Sequence, residues 1–214
     1  MPDWDLGLGR GAHVCHLFDG YAEQKQILLP FIRNGLRTQE HCLFTICDRS
    51  PDDWYLELQA YGVDVAAELD KHALVVIEEE KVRPPGEFNA IRLARGLWGM
   101  LSGLLAEFSG VRLAREVPWL EDAALSVPDL CHMEAAGTLL FQSSDIRSLC
   151  QYDLNRHAPA VIHTALRTHP FVVFAGSLHA NPFYEVPQIL ANEPGSFQSD
   201  ADANTVTTML GSFR

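Results

Sequence analysis

The residues best suited to chemistry are imidazoles, thiols and carboxylates that sit in or beside apolar runs. His13, Cys15 and His16 share the run AHVCHLF at 12–18, and strand alternation puts His13 and Cys15 on one face and His16 on the other. A metal or haem there needs His13 or His16 joined by Cys150, Asp153 or His169 from elsewhere, and such donors suit zinc or iron. No close ligand pair with an established spacing occurs, and free cysteine is among the most buried residue types, so packing explains His13 and Cys15 more simply. Cys131 and His132 are neighbours on an expected helix, where side chains diverge by about 100°. A surface position without a shared ion is expected for them. His169-Pro170 precedes a strand, at the sheet edge opposite the strand carboxyl ends, and is expected to fix a helix-to-strand turn.

A second set follows from position alone. Ligands of open α/β sheets gather at strand carboxyl ends. Those ends supply His16, Phe18 and Asp19; Cys47, Asp48 and Arg49; Arg115, Glu116 and Trp119; Cys150, Tyr152 and Asp153; and Ser177 and His179. Tyr152 and Asp153 read equally well as ligand contacts or as a packed ring and a turn cap. Trp54, Trp98 and Trp119 offer cavity walls, although aromatics at helical spacing usually belong to a core. No Ser-His-Asp order, nucleophile elbow or paired catalytic carboxylate motif emerges, so no enzyme is expected.

The elements that position these groups alternate. Buried strands are expected at 12–18, 41–47, 73–77, 111–117, 146–152 and 171–175, with helices at 21–36, 51–60, 65–69, 88–108, 128–141 and 159–168. Pro30 should kink the first helix. Ser50-Pro51-Asp52-Asp53 reads as a capped helix start. Residues 81–86 read as a loop. This is the order of parallel βαβ units: an α/β three-layer sandwich with a mostly parallel central sheet. Residues 1–11 read as an entry arm, 12–187 as one domain, and 188–214 as a polar tail that docks, reaches a partner or moves freely.

Size and charge bound the rest. The 214 residues suit one domain, and 16 basic against 28 acidic residues give a net charge of -12. Without Lys/Arg clusters, direct nucleic-acid binding is not expected. The run Glu78-Glu79-Glu80 is a solvated strand end. The five cysteines lack a CxxC, and neither an export signal nor a membrane span is visible, so a cytoplasmic protein with reduced thiols is expected.

HVCHLF at 13–18, LLPFIRNGLRTQEHCLFTICD at 28–48, CQYD at 150–153, LRTHP at 166–170 and NPFY at 181–184 together resemble the MEDS family. These are sensory domains named for methanogens, methylotrophs and the DcmR regulator. The resemblance implies a fold like the RecA/KaiC-type P-loop NTPases, and Phe31, Gly35, Glu40, Leu43 and Phe44 fit the KaiC-like phrase after the phosphate loop. The loop itself is missing. Phe18 to Lys25 has one glycine, no GKS or GKT, and two acids that repel phosphate, so there is no functional Walker A. The resemblance further implies a sensor of small organic, hydrocarbon-derived compounds, acting through a signalling protein or transcription regulator. The alternative is a metal- or haem-dependent redox or gas sensor using His13, His16 and Cys150. A degenerate ATPase and a pure interaction module complete the field, and a homodimer fits the habits of RecA-like relatives.

Overall fold

The computed structural model describes residues 7–82, 90–117, 126–187, 208 and 210–213. Seven strands form one sheet in the order β3-β2-β4-β5-β1-β6-β7. They are β1 (His13–Phe18), β2 (His41–Ile46), β3 (Leu74–Glu78), β4 (Val111–Glu116), β5 (Ile146–Asp153), β6 (Phe171–Phe174) and β7 (Ser177–Ala180). Every pairing is parallel except β6 with β7. The sixfold alternation expected from apolar runs is present. The seventh strand, SLHA, escaped notice because it is short and half-exposed, without an apolar run. It places Ser177 and His179 in an edge hairpin rather than at a parallel strand end.

Helices cover both faces. On one lie α1 (Gly20–Arg37), α2 (Pro51–Ala60) and α3 (Val65–Asp70); on the other lie α5 (Ala90–Leu104), α6 (Val127–Phe141) and α7 (Pro159–Thr168). A single turn, α4 (Glu79–Val82), follows β3 where a loop was expected, so only Glu78 of the acidic run ends a strand. Val14, Phe44, Ala114 and Leu149 pack against Ile27, Leu28, Phe31 and Trp54 on the first face. Cys15, Leu17, Cys150 and Tyr152 pack against Leu130, Val161 and Leu166 on the second.

Local chemistry sets the boundaries. Ser50 and Ser126 each accept from the backbone of a residue three on, while Asp53 and Asp129 return the bond, giving capping boxes with proline in the first turn. Pro30 lies inside α1, which runs on through it as one helix. Gly35 is a point of close approach: a Cβ there would stand 2.5 Å from Arg112 Cδ and 2.7 Å from Cys42 Sγ. Arg112 is held by Glu40 and donates to the Phe31 carbonyl at 2.9 Å, and Glu40 also accepts from Arg147 at 2.7 Å. The buried Glu40 thus joins α1 to β4 and β5. Phe213 packs against the rings of Phe174, Phe183 and His179, so part of the expected tail docks on the second face. Residues 1–6 of the arm, 83–86 of the expected loop and most of the tail lie outside the described residues. Among those described, no helix is long and apolar enough to cross a membrane.

Candidate functional site

His13 opens β1, Cys150 lies in β5, Glu134 lies on α6, and His169 follows α7 directly. One donor atom from each lies within 4.8 Å of the others, and all four residues are buried. Parallel register sets His13 opposite Ser148 and Cys15 opposite Cys150, so these side chains share the α6–α7 face. His13 Nε2 stands 3.3 Å from Cys150 Sγ and 3.3 Å from Glu134 Oε2. Glu134 Oε2 is 3.6 Å from Cys150 Sγ and 3.6 Å from His169 Nε2.

Hydrogen bonding fixes both imidazoles. Thr138 Oγ1 lies 3.1 Å from the Thr168 carbonyl and 3.3 Å from the Glu134 carbonyl. Carbonyls only accept, so the hydroxyl proton goes to them, and His13 Nδ1–H donates to the Thr138 oxygen at 2.7 Å. His169 Nδ1–H donates to the Ala165 carbonyl at 2.8 Å. In the neutral rings, each Nε2 therefore presents a bare lone pair to the cluster, as second-shell bonds arrange for metal-binding histidines. His169 Nε2 has no hydrogen-bond partner at all. A lone pair aimed at a carboxylate oxygen is repulsive unless a proton or cation lies between them.

The remaining charges balance within the cluster. Arg115 pairs with Glu134 Oε1, which also accepts from the Tyr152 hydroxyl at 3.0 Å. Burial alone would raise the Glu134 pKa, but Arg115 and the two histidines hold it well below the usual carboxylate range. Burial likewise disfavours charged His13, yet the facing Cys150 and Glu134 raise its pKa above that of an ordinary imidazole. Burial and Glu134 push the Cys150 thiol up, and His13 and Arg115 overcome them and bring it down. His13 and Cys150 thus each favour the other's charged form beside the Arg115–Glu134 bridge.

A tetrahedral ion tests the fit. Bonds of about 2.0–2.3 Å set ligand atoms roughly 3.3–3.8 Å apart, since a tetrahedron's edge is about 1.6 times its radius. Four of the six separations lie in that range, and the other two, His169 to His13 and His169 to Cys150, lie within 4.8 Å. Two imidazoles, a carboxylate and a thiolate make a zinc donor set, and ferrous iron accepts the same atoms.

Of the residues the sequence offered as metal donors, His13, Cys150 and His169 meet. His16 and Asp153 do not: His16 lies on the opposite face, and Asp153 lies at the far end of β5. His169 does sit at the amino edge of the sheet, but it joins the cluster as well as the turn. Glu134 was missed, although a lone acid in LCHMEAAGTLLF was a signal, since isolated charges are rarely buried without partners. Cys131, expected at the surface, is buried, while His132 is exposed.

The strand carboxyl ends enclose a separate pocket of about 200 Å³, lined among others by Phe18, Asp48, Arg49, Glu116, Gln151 and Asp153. Asp19 stands outside its lining and accepts from Asn155 at 2.6 Å. His16 is buried and stacks near Phe18, 5.2 Å between centroids, without lining the pocket. Arg115 and Tyr152 turn to the other face because they alternate with Glu116, Gln151 and Asp153. Trp54 is core, Trp98 is partly exposed, and Trp119 lies outside the described residues.

Comparison with known proteins gives one finding. A family profile described as the methanogen/methylotroph, DcmR sensory domain, MEDS, matches residues 12–170. No curated protein matches the chain.

Proposed function

Since the chain belongs to the MEDS family and is a sensory domain, not an enzyme, we propose that its sensing element is a transition-metal centre held by His13, Glu134, Cys150 and His169. One observation carries this reading. Two oriented imidazole lone pairs and a carboxylate oxygen converge on one buried point, and His169 Nε2 finds nothing there to bond. Zinc fits the donor set best. A haem fits worse, because His13 lies edge-on to Phe141 and 4.0 Å from the His169 ring, which leaves a point between the ligands rather than a slot.

A bound ion would supply a positive charge that keeps Cys150 a thiolate at pH 7. The chain's own residues then do the sensing. Cys150 is the oxidisable ligand: a peroxide would transfer one oxygen to its thiolate, giving a sulfenate as the O–O bond breaks and the other oxygen leaves as water or alcohol. Arg115 and Tyr152 hold Glu134, and Thr138 and Ala165 hold the imidazoles. Loss of Cys150 as a ligand would leave Glu134 to Arg115, Tyr152 and the histidines and change the pull on α6, an element able to inform a signalling protein or transcription regulator. The RecA/KaiC-like ancestry is supported by the phrase around Gly35 and Glu40. Where a phosphate would sit at the start of α1, Glu23 instead accepts from the Asp19 backbone N–H at 2.7 Å, in keeping with a lost nucleotide site.

Elemental analysis of gently purified protein tests the centre. About one equivalent of zinc or iron per chain is expected, and Cys150→Ser and Glu134→Gln should each lose it. Folded, metal-free protein that takes up no zinc at micromolar concentration sinks the reading.

A further inference from the structure

We infer that the pocket at the carboxyl ends of β1, β2, β4 and β5 binds a small neutral molecule carrying a carbonyl acceptor beside an N–H donor, a primary amide or its like. This site is on the opposite face from the metal cluster and stands without it.

The inference starts from a buried donor with nothing to bond. Gln151 is 1% exposed and lines the pocket, and its Nε2 has no partner. The orientation of that amide follows from its neighbours. Glu116 accepts from the Cys47 backbone N–H at 2.6 Å and from Gln24 Nε2 at 2.8 Å. A carboxylate cannot donate, so Gln24 must face it with nitrogen. The same nitrogen donates to Gln151 Oε1 at 3.2 Å, which leaves Gln151 Nε2 as the free end of the relay. A buried N–H without an acceptor costs about 1–3 kcal/mol, so the site is built for an acceptor.

Glu116 supplies the second half. Burial raises its pKa, and no cation bonds to it among the described residues. Arg156 is taken by Asp48, and Arg49 lies over the Tyr21 ring at 3.5 Å. Two carboxylate lone pairs remain for a donor. Arg49 and Arg156 also line the pocket, but three carboxylates, Asp48, Glu116 and Asp153, outnumber them and oppose an anion, whereas a lone cation would leave Gln151 unsatisfied. A molecule with a carbonyl and an N–H side by side serves both. The volume of about 200 Å³ is below the roughly 300–1,000 Å³ of drug-sized sites, so the molecule is small. Phe18 and Val117 provide its apolar wall.

Titration of the ¹⁵N-labelled protein with acetamide, acetone, methylammonium and acetate tests this, followed on the Gln151 side-chain NH₂ and the Cys47 and Gln151 backbone amides. Acetamide should saturate, with acetone and methylammonium about tenfold weaker, since each forfeits one bond, and acetate weaker still. Gln151→Leu should lose about tenfold for acetamide while keeping a folded spectrum. Glu116→Gln should narrow the gap between acetamide and acetone. Equal binding of acetamide and acetone, no saturation by acetamide, or unchanged binding to a folded Gln151→Leu protein overturns the proposal. The metal content of the same sample reports on the other site, so either idea can fail alone.

Discussion

At the scale of single residues, the cluster depends on which charges are matched. Glu134→Gln leaves the partly buried Arg115 without its carboxylate, a loss of about 2–3 kcal/mol. Adding Arg115→Met should restore most of it, because the guanidinium left without its carboxylate is then removed as well. Urea midpoints measured in chelator separate this from metal loss. His16 gives a pH prediction. Burial with an unpartnered Nδ1 lowers its pKa to about 3, below the unfolded value near 6.5. The stability of the neutral ring is therefore whole above about pH 6.5 and declines towards pH 3 by about 1.4 kcal/mol per pH unit. His16→Leu should lose less stability than the parent between pH 7 and pH 4.5 in urea titrations. An unchanged acid limb would show that the ring is solvated. Much of the metal set was legible, because His13 and Cys150 lie in apolar runs. Glu134 was not, since a helix face is known only once its neighbours are. Tyr152 and Arg115 were assigned to the wrong side because strand ends were read by position and not by alternation.

Elements show where the pattern of apolar runs suffices and where it fails. β1, β2, β3 and β6 are largely apolar runs because both sheet faces are covered. β4 and β5 interleave apolar residues with Arg112, Arg115, Arg147 and Gln151, and both capping boxes follow from Ser-x-x-Asp. The β6–β7 hairpin has no such run and became visible only through its pairing. Gly35 illustrates a contact hidden in sequence. Its close approach to Arg112 depends on the Glu40 bridge that keeps the guanidinium from retreating. Gly35→Ala should cost about 2 kcal/mol and lower Tm by roughly 4–8 °C in calorimetry. If Tm is unchanged, α1 moves more freely over β4 than this packing allows.

For the whole molecule, a metal bound at the cluster would add to folding stability, because the unfolded chain cannot gather donors so distant in sequence. Zinc at a hundred times its Kd should raise stability by about 2.7 kcal/mol over chelated protein. Lowering the pH should weaken binding, as protons compete for the same imidazoles and thiolate. A further consequence lies in the alternation of β4 and β5. Arg115 faces the cluster and Glu116 the pocket; Cys150 faces the cluster and Gln151 the pocket. Two chemically unrelated compartments therefore share a partition one peptide thick. If the two sites speak to each other, thermodynamics makes the conversation symmetrical: acetamide must change zinc affinity by the same factor that zinc changes acetamide affinity.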